Sequence, residues 1–146
     1  MKIIINNQIK ILIFITSWMF FRAVGSTIFL FLTAVGSPRS APYEWIIAFS
    51  GDFVIGSTSL FLAYQILKKP TVMLWGILLA WNAVGLFDLI GALSLTITTP
   101  FSPFPEIGLN EIGVRTILIL NTILQTISLV LIFQSSVLSY FNFKNN

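Results

Sequence analysis

Three ionisable residues, Arg22, Asp52 and Asp88, stand inside long apolar runs, where a charge is costly and therefore chemically informative. A charged side chain at the centre of a membrane helix costs roughly 2.5–3.5 kcal/mol on insertion scales, so it normally faces protein or a water-filled cavity. One arginine against two aspartates leaves one carboxylate in surplus. That surplus must be balanced by a proton, a bound cation or hydrogen bonds from neighbours such as Asn82 or Gln125. Two close carboxylates sharing a low-dielectric site are also a way to hold a transferable proton or an ion. The chemistry expected is binding or passage of a small polar solute, proton or ion, with Asp52 and Asp88 as acceptors and Arg22 as counter-charge. Trp81 joins the candidate set because it shares the helical face of Asp88, although tryptophans in such chains mostly pack or sit at membrane boundaries.

Two other uses of the same residues compete with binding. Arginine and aspartate between membrane helices can simply lock a bundle and set its register, including across a homo-oligomer. Alternatively, the aspartates could act as general acid and base on a lipid-like substrate. Paired carboxylates alone are a weak catalytic signal, so no catalytic residue is assigned. The absence of cysteine and histidine removes thiolate nucleophiles, zinc–cysteine sites, imidazole bases and haem–histidine bonds, and no metal site or cofactor is expected.

The elements that must position these groups follow from composition. The 146 residues are 56% hydrophobic and only 9% charged, with a mean hydropathy of +0.94, so the solvent for most of the chain is lipid. The net charge of +3 is too sparse and scattered for a nucleic-acid surface. A single transmembrane domain over 1–146 is expected, an all-α integral membrane four-helix bundle, antiparallel and up-down-up-down, with spans at about 11–35, 43–67, 71–98 and 114–138. Lys2 and Lys10 before Ile11–Phe21 imitate a secretory signal, but apolar character resumes after Arg22, and the two halves reach spanning length only when joined.

Gly36, Pro38 and Pro42 make the first connection a short turn. In the second span Ala48, Asp52, Gly56, Ser59 and Ala63 share a face, so the stripe carrying the charge is made of small residues suited to close helix packing. The third repeats this with Trp81, Gly85, Asp88 and Ala92. Gly25, Gly56, Gly76, Gly85 and Gly91 are all expected at close-packing positions. After a proline-rich connection over 99–113, either a plain connector or a cap over an outer mouth, the fourth span carries Asn121, Gln125, Ser128 and Ser135 along one side. The tail from Ser139 is short and polar apart from aromatics.

Basic residues near the span ends set the expected orientation. Lys2, Lys10, Lys68, Lys69 and Lys144 fall on one side and Arg39 and Arg115 on the other, which puts both termini in the cytoplasm. At about 1.5 Å rise per residue, Asp52 and Asp88 lie roughly 14 and 15 Å below the outer ends of their spans, and Arg22 roughly 20 Å. A cluster is within reach of an extended arginine. Against it, helical side chains lean toward their own N-terminus, which for the first span is the inner side.

The pattern Arg-x-x-Gly (Arg22, Gly25), Gly-Asp-x-x-x-Gly (Gly51, Asp52, Gly56) and Trp-Asn-x-x-Gly-x-x-Asp-Leu (Trp81, Asn82, Gly85, Asp88, Leu89) resembles a family of small uncharacterised bacterial membrane proteins with four spans. The resemblance covers roughly residues 22–98 and implies a location in the bacterial inner (plasma) membrane. It implies no activity.

Overall fold

A computed structural model describes residues 7–142, so Lys2 and Lys144 lie outside the described residues. Those residues form helices α1 (Asn7–Trp18), α2 (Phe20–Ala34), α3 (Trp45–Lys68), α4 (Val72–Thr98), α5 (Glu111–Ile132) and α6 (Ser135–Asn142), with one 3-10 turn at Pro105–Ile107. Four stretches are long and apolar enough to cross a membrane: Asn7–Ala34, Trp45–Lys68, Val72–Thr98 and Glu111–Ile132. The fold is the expected all-α, multi-pass four-helix bundle.

The first span is interrupted rather than continuous. At Met19 the α-helical pattern breaks, and the Arg22 amide donates to the Met19 carbonyl, three residues back, at 3.0 Å. The tightened turn starts α2 just before the arginine. The same helix ends in a Schellman motif: the Ser37 amide donates to Leu32 O and that of Gly36 to Thr33 O, with Gly36 at φ +65°, a conformation its missing Cβ makes cheap.

Three boundaries differ clearly from expectation, the first being the start of the first span, at Asn7 rather than Ile11. The fourth span begins at Glu111, not Val114, because the Asn110 side chain caps it by accepting from the Gly113 amide at 2.9 Å. It ends at Ile132, not 138. The polar Gln134-Ser135-Ser136 stretch starts the separate helix α6, so Ser135 is exposed and lies outside the polar stripe of α5. Nor is the tail merely a polar end, since Val137 and Phe141 are fully buried and the Tyr140 hydroxyl donates to Ile66 O at 2.8 Å. The Ser136 hydroxyl meets Gln8 on α1.

The spans pack in sequence order, first on second, second on third, third on fourth. The ring closes where α1 meets α5, but α2 and α5 do not pack together. The bundle is thus shut in the half that carries α1 and α6 and parted in the half beneath the 99–110 loop. Two apolar cores result. One gathers Leu12, Ile15, Ile66, Leu78, Ile132 and Phe141, and the other Trp45, Phe49, Leu89, Phe101 and Leu118. Phe101 reaches the second core from the loop, and Trp45 Nε1 donates to Thr99 O at 2.8 Å, which ties that loop down.

Candidate functional site: an arginine bridging two aspartates

The small-residue face of α3 brings the first two spans together. Gly56 and Ser59 are buried, and a Cβ added at Gly56 would strike the backbone of Ala23. Arg22 is therefore held beside α3, with Asp52 one turn further toward the loop end on the same face. The predicted lean of the side chain does not decide its position. Close backbone approach makes the distance short, and the arginine extends to both carboxylates.

Arg22 Nε donates to Asp52 Oδ1 at 2.5 Å and Nη2 donates to Asp88 Oδ2 at 2.7 Å. Its Nη1 donates to Gln125 Oε1 at 3.3 Å and, at a longer 3.4 Å, to the Gly85 carbonyl. Gln125 passes the network on, its Nε2 donating to Asn82 Oδ1 at 2.9 Å, while Asn82 Nδ2 is anchored on Leu78 O at 2.8 Å. One guanidinium thus binds all three of the other spans in the plane between the two apolar cores. A planar fork with five donors suits such bridging in a way that a lysine ammonium does not.

Two glycines make room for the network. A Cβ on Gly51 would collide with the Asp88 carboxyl group, and one on Gly85 would lie 3.1 Å from Gln125 Nε2 and 3.2 Å from Arg22 Nη1. Gly25, Gly76 and Gly91 behave otherwise, because a Cβ there meets nothing within 4 Å, which corrects the expectation of close packing at all five positions. Trp81 is buried but stands apart from the charges, its Nε1 donating to Thr58 Oγ1 at 3.0 Å. Of the six candidate residues, Arg22, Asp52, Asp88, Gln125 and Asn82 form one connected network, and Trp81 supports packing beside it.

The guanidinium side chain is 2% exposed, against 14% for Asp52 and 15% for Asp88. Asp52 borders a cavity of about 340 Å³ set between α2 and α5, under the loop residue Leu109. Its walls are mainly apolar and aromatic, with Trp18, Phe29, Trp45 and Phe49 among them. Composition carries no signal for this crevice, since it arises where the backbones of α2 and α5 stay apart and, among hydrogen bonds, only Arg22–Gln125 joins them. Among the described residues, no group of three or more acidic side chains stands close enough to hold a metal ion. Comparison of the chain with protein families, curated proteins and solved structures finds no match.

Proposed function

We propose that this multi-pass membrane protein binds, or passes, a small polar solute, proton or ion at the Arg22–Asp52–Asp88 cluster. The observation that carries this proposal is the charge count at one site: two carboxylates share a single guanidinium, and Asp52 also borders a cavity. A surplus negative charge at that depth calls for a positive occupant or a proton. Asp52→Asn and, separately, Asp88→Asn should leave the purified protein folded while removing ion- or pH-dependent binding. Loss of folding without any ligand effect would count against it.

The bundle-locking role is favoured by a different observation, the engagement of every guanidinium nitrogen by α3, α4 or α5. In that reading the charges fix helix packing alone, within one chain or across a homo-oligomer. Exchanging Arg22 and Asp52 separates the two, because the exchanged pair should restore stability if pairing is the whole role. The resemblance implies a bacterial plasma membrane, and the lysine bias, which includes Lys10, Lys68 and Lys69, supports cytoplasmic termini.

A further inference from the structure

We propose that the crevice between α2 and α5 takes a lipophilic organic cation, an amphiphile with one positively charged nitrogen or phosphorus centre and an apolar body, which enters sideways from the bilayer and sets its charge against Asp52. The inference rests on the reading of the charged cluster as a binding site and adds the chemical class of the occupant and its route.

Geometry supplies the route. Because α2 and α5 part in the loop half of the bundle, the cavity faces the flank of the protein, between Phe21 and Leu120, both well exposed to the surroundings. At the loop end Leu109 lies over the cavity. A hydrated inorganic ion would have to shed water along an apolar wall with few groups to replace it, at high cost. An amphiphile dissolved in the bilayer meets no such barrier.

Charge supplies the sign. Both Arg22 and Asp52 border the crevice, but the Asp52 side chain is the more exposed of the two, 14% against 2%, and the guanidinium is already fully hydrogen bonded. With both carboxylates ionised the cluster has one negative charge in excess, which disfavours fatty-acid carboxylates and phosphate headgroups and is neutralised by a cation. The aromatic and aliphatic walls, Trp18, Phe21 and Phe29 among them, suit the apolar body of such a cation. The volume of about 340 Å³ falls at the small end of the range of drug-sized pockets and far exceeds a bare ion. Gly25, on the wall and without a neighbour within 4 Å of its missing Cβ, leaves the space beside Arg22 unfilled.

The test uses the full chain in phosphatidylcholine nanodiscs, with tetraphenylphosphonium as probe and tetraphenylborate as its anionic isostere. Equilibrium dialysis measures binding, and thermal unfolding checks each variant. The native protein should bind the cation saturably, about one per chain, and show no saturable binding of the anion. Asp52→Asn and Gly25→Leu should each weaken the cation by roughly tenfold or more, the first by removing charge and the second by filling the crevice. Gly76→Leu, which adds bulk away from the crevice, should bind as the native protein does. Should Asp52→Asn fail to fold, Gly25→Leu and the anion comparison still decide. Equal binding of both isosteres, or cation binding unchanged in Gly25→Leu, overturns the inference. Asp52-dependent binding of sodium or protons without any binding of tetraphenylphosphonium overturns it while leaving the broader function standing. If neither kind of probe binds, both fall.

Discussion

The Asp88 carboxyl group lies against the bare α-carbon of Gly51 on the neighbouring helix, so closely that a Cβ there would sit 2.6 Å from Asp88 Cγ. The glycine before Asp52 is thus explained by the other aspartate. Gly51→Ala forces either the carboxylate or the helix to move. It should destabilise the protein by about 1–3 kcal/mol, the usual cost of overpacking. Gly91→Ala, with nothing near its added methyl, should instead stabilise by roughly 0.5–1 kcal/mol through helix propensity. Unfolding in mixed detergent would measure both, and equal effects would show that the contact at Gly51 carries no weight.

Arg22 reaches three spans at once, so its loss leaves two uncompensated carboxylates. Arg22→Met should cost about 3–5 kcal/mol, as breaking buried ion pairs usually does. Combining it with Asp52→Asn and Asp88→Asn should recover part of that loss. Arg22→Lys should behave more like Met than like Arg, because one ammonium cannot serve Asp52, Asp88 and Gln125 together.

Phe141 closes the core at the end of the bundle nearest the termini. Phe141→Ala should cost about 3–5 kcal/mol if the surrounding core does not collapse onto the gap. Its first visible effect should be release of α6, read as faster proteolysis after Ile132. A native cleavage pattern would mean that α6 is held chiefly by its hydrogen bonds.

Tyr140 lies outside the four spans, and burial raises its phenol above the ordinary value of 10.0. The folded state therefore favours the neutral form more than the unfolded chain does. The resulting stabilisation is complete below pH 10 and is lost as the pH climbs through the raised folded value. Tyr140→Phe lacks both this dependence and the bond to Ile66 O. The stability gap between native and Tyr140→Phe protein, measured across pH 9 to 12, should narrow with rising pH.

Much of the architecture was legible because it depends on apolar length and on the spacing of small residues. Ala48, Ser59 and Ala63 are buried along the stripe drawn through Asp52, and Gly85 and Ala92 along that through Asp88. The shared depth of Asp52 and Asp88 followed from helical rise alone, with Arg22 placed deeper and within reach only through its long side chain. The meeting of Arg22 with both aspartates was harder to read, because it depends on how closely Ala23 approaches Gly56, and no single-helix rule contains that distance. The break at Met19 left no mark in an apolar run. The early start of α5 did have a signal in Asn110, placed to cap the Gly113 amide. The return of α6 turned on Val137 and Phe141, two residues in an otherwise unremarkable tail. Trp81 lies on the stripe drawn through Asp88, and what no single-helix pattern contains is that its nitrogen turns toward Thr58 on α3.

The bond from Arg22 to Gln125 joins residues 103 positions apart, and it imposes a timetable on biogenesis. Asp52 arrives with the second span and Asp88 with the third, so the two ion pairs can close before the last span exists. The bond to Gln125, and through it to Asn82, has to wait for the fourth. Assembly is therefore staged, and a truncated chain lacking that final segment should keep its paired charges yet unfold more readily than the full chain, with Asn82 Oδ1 left unsatisfied.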